Sequence, residues 1–249
     1  MRRAFVLDLK FTSSRTVAGM KTAIITGGSR GLGQVLTEDL VRDGWHVIVD
    51  GRDGQLLDDV TRHLRPFVHA VAGDVADPLH RATLVELAWR LGGLELLVNN
   101  ASTLGPSPLP ALRDVDLDDF QAIHRVNVVA PLGLIQQALP LLAANGGAVV
   151  NITSDAAVEP YEGWGGYGSS KAALDQLSRV LAAEEPTVPV WAFDPGDMRT
   201  QMHQDAFPGE DISDRPEPVT VVPALRRLLT ERPPSGRYRA ADLLTGATR

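Results

Sequence analysis

A glycine-rich turn separates the first apolar run of this chain from a segment with helical spacing. The run covers residues 22–26, the turn extends to Gly33, and apolar residues then recur at helical spacing over residues 32–42. Glycines permit a tight turn and a close approach of the backbone. The N-terminus of the next helix offers free N–H groups and the positive end of its dipole. The pattern predicts a pyrophosphate-binding turn, with an ordinary strand-to-helix turn as the alternative.

Short apolar segments alternate with helical segments along the rest of the chain. The predicted strands cover residues 22–26, 45–50, 67–72, 94–98, 148–153, 188–193 and 237–240. The predicted helices cover residues 32–42, 55–64, 77–91, 116–144, 167–184 and 219–230. A kink is expected at Pro131, and residues 196–214 are expected to form a mobile loop. This alternation predicts an α/β fold, a Rossmann-type doubly wound parallel sheet with helices on both faces in three layers.

No linker-like tract divides the chain of 249 residues, so we predict one dinucleotide-binding domain over residues 20–249. Residues 1–19 are expected to be a disordered leader, because they lack the long apolar run of a secretory signal. A transit peptide is the alternative, and Met20 could be the true start of the protein.

Composition excludes several kinds of site. The absence of cysteine excludes disulfides, thiolate zinc sites and cysteine nucleophiles, and the six histidines lack the spacing of metal ligands. Lys and Arg number 24 against 31 Asp and Glu, and the net charge of −7 argues against a nucleic-acid partner. We see no apolar run of the roughly 18 residues that span a membrane, and we expect a cytoplasmic protein without a membrane partner.

A tyrosine and a lysine lie one helical turn apart in the helix predicted over residues 167–184. Tyr167 and Lys171 are separated by four residues and would share one face of that helix. A nearby ammonium group favours phenolate and lowers the pKa of a tyrosine, which otherwise titrates near 10. The pair would then suit acid–base chemistry. Taken alone, it is more often an ordinary surface pair.

These motifs together resemble the short-chain dehydrogenase/reductase family from about Lys21 to the C-terminus. The sequence Thr26–Gly33 matches the family's TGxxxGxG, and residues 195–200 match its PGxxxT. Asn99-Asn100-Ala101 resembles the NNAG motif, with Ser102 in place of the glycine. That departure could alter a local turn without abolishing binding of the cofactor.

The resemblance implies a catalytic set of Asn127, Ser154, Tyr167 and Lys171, in which Ser154 precedes Tyr167 by the family's spacing. Tyr167 would exchange a proton with the carbonyl or alcohol oxygen, and Ser154 would orient that oxygen. Lys171 would bind the nicotinamide ribose and lower the pKa of Tyr167. Asn127 would hold a water in a proton relay. The alternatives are a cap or turn for Ser154 and a buried structural hydrogen bond for Asn127.

The resemblance also assigns residues to the cofactor, and for Asp74 a turn or helix cap is the alternative. The implied cofactor-binding residues are Gly27, Ser29, Arg30, Gly31, Leu32, Gly33, Gly51, Arg52, Asp74, Val75, Asn100, Ala101, Tyr167, Lys171, Pro195, Gly196 and Thr200.

Cofactor choice depends on the end of the second predicted strand. Counted as in the family, the selecting position is Gly51, and its neighbour Asp50 would point to the other face because strand side chains alternate. Gly51 leaves room for a 2′-phosphate that Arg30 and Arg52 could clamp, unless each arginine is only a solvated surface side chain. We therefore predict NADP(H) as the preferred cofactor and NAD(H) as the alternative.

The predicted function is hydride transfer between NADP(H) and a carbonyl or secondary-alcohol substrate, with ketone or aldehyde reduction favoured. The alternatives are an NAD(H)-dependent dehydrogenase of the same family and a non-catalytic dinucleotide-binding regulatory protein. A partly apolar substrate pocket is expected between residues 103–106, 155–164 and 198–207, and residues 197–214 could close over it as a lid. The resemblance further implies a homodimer or homotetramer.

Overall fold

Seven strands form one sheet in the computed structural model, which describes residues 19–246. The strands are β1 (Thr22–Ile25), β2 (His46–Gly51), β3 (Val68–Ala72), β4 (Leu96–Asn99), β5 (Ala148–Ile152), β6 (Val190–Asp194) and β7 (Gly236–Arg239). Their order is β3-β2-β1-β4-β5-β6-β7, and every neighbouring pair is parallel. The chain therefore winds outward in both directions from β1, which confirms the predicted doubly wound fold.

Helices connect the strands and cover both faces of the sheet. They are α1 (Gly31–Arg42), α2 (Gly54–Thr61), α3 (Pro78–Arg90), α4 (Leu117–His124), α5 (Ala130–Ala144), α6 (Gly165–Glu184), α7 (Gln201–Ala206), α8 (Val222–Glu231) and α9 (Ala240–Thr245).

Strand β1 illustrates how the sheet is buried from both sides. Ile24 and Ile25 are both fully buried, yet successive strand side chains point to opposite faces. Ile25 belongs to a core cluster with residues of α1 and α8, and Ile24 belongs to a second cluster with residues of α3 and α5. Because helices cover both faces, the strands are continuously apolar rather than alternating.

The helix predicted over residues 116–144 consists of three parts. α4 ends at His124, a π-helical turn follows over Arg125–Val129, and α5 begins at Ala130. Pro131 lies in the first turn of α5, where a proline is well tolerated. The interruption therefore falls in the π-helical turn before Pro131, and not at Pro131 itself.

The prediction of a loop over residues 196–214 is wrong in part, because α7 lies within it. Thr200 caps this helix, with its Oγ1 accepting a hydrogen bond from His203 N at 3.2 Å. Met202 and Ala206 pack against an apolar cluster that includes Leu104. Six residues are too few to show a helical period, and α9 is missed for the same reason.

The predicted leader, residues 1–19, lies outside the described residues except for Gly19. The stretch Leu117–Ala144 is long and apolar enough to cross a membrane by length and composition, so the prediction that no such segment exists is wrong. Within it, Leu134 and Ala138 of α5 are fully buried against the sheet, which identifies α5 as a core helix.

Candidate active site

The carboxyl ends of β1, β2, β4, β5 and β6 border one cavity of about 1380 Å³. Most of the predicted site residues line it, whereas Gly33 and Asn127 do not. The predicted residues in the wall are Gly27, Ser29, Arg30, Gly31, Leu32, Gly51, Arg52, Asp74, Val75, Asn100, Ala101, Ser154, Tyr167, Lys171, Pro195, Gly196 and Thr200.

The turn after β1 closes tightly against the turn after β4. Gly27 has a φ of +70°, a conformation that side chains rarely adopt. A Cβ at Gly33 would overlap the Gly27 carbonyl oxygen and approach Asn100 Nδ2 to 2.6 Å. Asn100 Nδ2 in turn donates to the carbonyl oxygens of Thr26 at 2.8 Å and Gly27 at 3.1 Å. Gly33 therefore permits the close packing of the two turns although it does not line the cavity.

The first turn of α1 offers an anion-binding end. Arg30 occupies the N-cap position without a side-chain cap hydrogen bond, and the turn holds no acidic residue. The terminal N–H groups and the positive end of the helix dipole are then available to an anion. Together with the close packing at Gly33, this donor set fits the pyrophosphate of a dinucleotide.

Asp50 lines the cavity and supports the glycine turn through its carboxylate. Its Oδ1 accepts a hydrogen bond from Gly27 N at 2.6 Å, and its Oδ2 lies 3.1 Å from His80 Nε2. Asp50 is 2% exposed. Gly51, the next residue, lines the cavity, and a Cβ added to it would lie 3.3 Å from the Ser29 side chain. The sequence analysis did not identify His80, which lies on α3, 30 positions after its partner Asp50.

Asp74 has features both of the predicted cofactor-binding residue and of the alternative, a turn residue. The exposed carboxylate accepts a hydrogen bond from Ala76 N at 2.8 Å, which is the bond of a turn residue. Asp74 also lines the cavity. Its contact with the adenine stays a prediction.

Tyr167 and Lys171 lie together on the buried face of α6. Lys171 Nζ is 5.4 Å from the centre of the Tyr167 ring and donates a hydrogen bond to the Ile152 carbonyl oxygen at 2.8 Å. Burial, the largest cause, raises the pKa of the Tyr167 phenol above its usual range, while the Ser154 hydroxyl beside it acts in the opposite direction. Burial lowers the pKa of Lys171 to about 8, against the attraction of Asp175.

Ser154 directs its proton to a carboxylate that sequence reasoning did not single out as a partner. Its Oγ donates to Asp155 Oδ1 at 3.0 Å and accepts from Ala156 N at 3.2 Å. Tyr161 donates to the other carboxylate oxygen of Asp155 at 2.9 Å. To bind a substrate oxygen, the Ser154 hydroxyl must therefore rotate away from Asp155.

The carboxamide of Asn127 is fully hydrogen-bonded by the protein. Its Nδ2 donates to Ser170 Oγ and to the Thr103 carbonyl oxygen, both at 2.9 Å. Its Oδ1 accepts from Thr103 N at 2.9 Å and from Ser102 Oγ at 3.1 Å. Ser102, which stands where the family motif has a glycine, therefore takes part in the hydrogen bonds that hold Asn127. A relay water would have to bind the Asn127 backbone carbonyl, to which Pro131 can donate no hydrogen bond.

The turn after β6 meets both the glycine turn and α7. Gly196 N donates to Asp194 Oδ1 at 3.0 Å, and Thr200 caps α7 from the cavity wall. A Cβ added to Gly31 would lie 3.5 Å from the Thr200 side chain. Thr200 therefore lies between the proposed pyrophosphate site and the helix that covers the cavity.

Aromatic side chains form one wall of the cavity beside Tyr167. The Trp164 ring stands edge-on to Tyr167 with centroids 5.7 Å apart and lies 5.9 Å from Phe207. His203 lies 4.9 Å from Phe207. Leu104 packs in the same cluster as Tyr167. This arrangement agrees with the expected partly apolar pocket.

Lys171→Met is expected to make the protein more stable at pH 7 by up to about 3 kcal/mol. The folded-state pKa of about 8 lies below the ordinary 10.5, so folding favours the neutral amine. The buried ammonium therefore costs stability below pH 8, and this cost disappears as the pH rises toward 10.5. Loss of the hydrogen bond to Ile152 reduces the gain.

Urea unfolding of wild type and variant at several pH values measures this difference. Lys21→Met is the matched control, because Lys21 is exposed and its replacement should change stability far less than Lys171→Met does. A Lys171→Met protein that is less stable than wild type from pH 7 to about pH 10 would contradict the expectation.

Comparison with known proteins points to one family. The profile of the family described as "short chain dehydrogenase" matches residues 21–211. A serine 3-dehydrogenase of Rhizobium radiobacter is 36% identical over 186 residues, covering 72% of this chain and 73% of that protein. Sepiapterin reductase of Mus musculus is 34% identical over 202 residues, covering 75% of this chain and 77% of the reductase.

Solved structures agree with these sequence matches. A short chain dehydrogenase of Escherichia coli CFT073, in complex with NADPH, superposes with a TM-score of 0.82 and 27% identity. The match covers 88% of this chain and 96% of the other. A short chain dehydrogenase of Shigella flexneri in complex with NADP has a TM-score of 0.82 and 26% identity, covering 89% and 97% of the two chains.

Proposed function

This chain belongs to the short-chain dehydrogenase family of NAD(P)-dependent oxidoreductases, and on that premise we propose that it transfers a hydride between NADP(H) and a carbonyl or secondary-alcohol substrate. The observation that carries the proposal is the meeting of Ser154, Tyr167 and Lys171 in the cavity that also contains the glycine turn. Reduction of a ketone or aldehyde is the favoured direction.

The protein's own residues would transfer the proton and orient the substrate. When bound, the nicotinamide supplies or accepts the hydride. Tyr167 has a raised pKa and stays protonated at neutral pH, so it can donate a proton to the carbonyl oxygen during reduction. Ser154, once turned from Asp155, donates a hydrogen bond to the same oxygen. Lys171 lies beside the ring as the cation that favours phenolate in the reverse direction.

Several features of the site favour NADP(H) over NAD(H). An acidic residue at the selecting position would bind the ribose 2′-hydroxyl of NAD, but that position is Gly51. Asp50 is engaged with Gly27 and His80. Arg30 and Arg52 are exposed at the cavity wall, where two guanidinium groups can hold a 2′-phosphate.

Arg52→Ala is expected to raise the KM for NADPH about tenfold, because a charge-assisted hydrogen bond to the 2′-phosphate is lost. The KM for NADH should stay unchanged, since NADH lacks that phosphate. Initial rates with each cofactor measure both values. Arg42→Ala is the matched control, because Arg42 is an exposed arginine outside the cavity. A wild-type enzyme with a higher kcat/KM for NADH than for NADPH would overturn the preference.

A panel of ketones and aldehydes, followed by NADPH absorbance, tests the proposed reaction. Turnover of a carbonyl compound supports it. Tight binding of NADPH with no turnover across the panel would favour the second candidate, a dinucleotide-binding regulatory protein. We disfavour that candidate because the Ser154, Tyr167 and Lys171 set is intact.

We also propose a homodimer or homotetramer in the cytoplasm that binds a small-molecule substrate and neither nucleic acid nor membrane. Family resemblance and three exposed apolar side chains, Val129, Leu132 and Val180, support self-association. Leu132 lies on α5 and Val180 lies on α6.

A further inference from the structure

One guanidinium group links three segments behind the active site. Arg237 lies on β7, in register with Ala192 of β6, and its side chain is 18% exposed. Its Nη2 donates to the Ser154 carbonyl oxygen at 3.0 Å and to Asp194 Oδ2 at 2.8 Å. Its Nε donates to Asp175 Oδ2 at 3.0 Å.

Each of these acceptors belongs to a segment of the site. Ser154 is the proposed substrate-orienting residue. Asp194 accepts a hydrogen bond from Gly196 N at 3.0 Å through its other carboxylate oxygen, so it fixes the turn after β6. Asp175 lies one helical turn after Lys171 on α6. The guanidinium therefore connects the ends of β5 and β6 to the helix that carries Tyr167 and Lys171.

Arg237 supplies the positive charge beside two buried carboxylates. Their side chains are 5% exposed for Asp175 and 3% exposed for Asp194. Within residues 19–246, Arg237 is the cationic residue that forms an ion pair with Asp175 and with Asp194. A buried carboxylate without a cation is strongly disfavoured. The planar guanidinium carries donors on separate nitrogens in a fixed fork, so it reaches acceptors that lie further apart than those around the single nitrogen of an ammonium group.

We propose that Arg237 is a positioning residue for the proposed reaction: it holds the Ser154 backbone in place and neutralises two buried carboxylates behind the pair of Tyr167 and Lys171. This inference rests on the proposed function. Arg237 does not line the cavity and touches no reacting atom.

Loss of the guanidinium charge should change the ionisation of the site. Tyr167 is faced by Lys171 on its own helix, by Asp155 after β5 and by Asp194 at the end of β6. Burial is the largest cause of its raised pKa, and the negative charge of Asp194 adds to it. Without Arg237, that charge is uncompensated, so the pKa of Tyr167 rises further.

The experiment compares Arg237→Met and Arg237→Lys with wild type. We expect Arg237→Met to lower kcat at least about tenfold through misplacement of Ser154. We also expect the rise of kcat/KM with pH in alcohol oxidation to move upward by about one pH unit. Arg237→Lys keeps the charge but not the fork, so kcat should fall while the pH profile stays near that of wild type. Arg239→Met, an exposed arginine on the same strand, should change neither quantity.

Thermal melts and NADPH titration establish that each variant is folded. A folded Arg237→Met enzyme with wild-type kcat and an unmoved pH profile would overturn the inference. If Arg237→Met does not fold, unchanged kcat in Arg237→Lys overturns it. Tyr167→Phe in the same assay separates the two claims. Activity retained in Tyr167→Phe overturns the proposed function. If Tyr167→Phe loses activity while the Arg237 variants behave like wild type, only this inference is overturned.

Discussion

Tyr167→Phe is expected to lower kcat for carbonyl reduction by about 100- to 10,000-fold while the Kd for NADPH stays unchanged. The substitution removes one oxygen atom from a side chain that packs with Leu104, Ala156 and Trp164, so the ring should keep its place. Burial holds the phenol protonated at neutral pH, as a proton donor requires. Ser154 remains beside the site, but its proton is directed to a carboxylate.

Steady-state rates and NADPH fluorescence titration separate the two quantities. The control is Tyr238→Phe, which removes a hydroxyl that donates to the Pro234 carbonyl oxygen away from the cavity. That variant should turn over like wild type. Comparable activity in Tyr167→Phe and Tyr238→Phe would remove Tyr167 from the mechanism.

Gly33→Ala is the second substitution with a large expected effect: it should weaken NADPH binding by about 10- to 100-fold. The new Cβ would overlap the Gly27 carbonyl oxygen, which belongs to backbone and cannot swing aside. The turn must then move away from α1 and take its N–H groups out of line with a pyrophosphate. Gly33 does not line the cavity, so the loss would arise from displaced backbone and not from a blocked pocket.

Isothermal titration with NADPH, together with a thermal melt, measures the effect of this substitution. Gly236→Ala is the matched control, because its Cβ would meet a first neighbour only at 3.6 Å and its φ is not positive. It should bind NADPH as wild type does. Binding of wild-type strength by a folded Gly33→Ala protein would show that the close approach at this turn does not shape the site.

The fold was predictable because its signals are local. A parallel sheet covered on both faces needs short apolar strands between amphipathic helices, and residues such as Ile24 and Ile25 display that requirement directly. The glycine turn and the spacing of Tyr167 and Lys171 are equally local. The other site residues were assigned by resemblance to the family, and most of the predicted residues line one cavity.

The contacts that support the site were not predictable, because they join residues far apart in sequence. Asp50 and His80 are separated by 30 residues, and Arg237 and Asp175 by 62. Nothing in the local sequence distinguishes Arg237 from the exposed Arg239 two residues later. The partners of a buried charge depend on the order of the strands, and periodicity does not supply that order.

The π-helical turn over Arg125–Val129 has a consequence for insertions and deletions. A π-helical turn accommodates one residue more than an α-helical turn, so deleting one residue there could restore a continuous α-helix. Such a deletion would preserve the backbone ladder and the orientation of the flanking residues, because the wide turn absorbs the extra residue, but it would redirect the side chains inside the turn. Asn127 could then no longer reach Thr103 and Ser170 together. Alignment of this chain with a relative that lacks the turn therefore requires a single-residue gap inside a helix, at the position where the helix meets the active site.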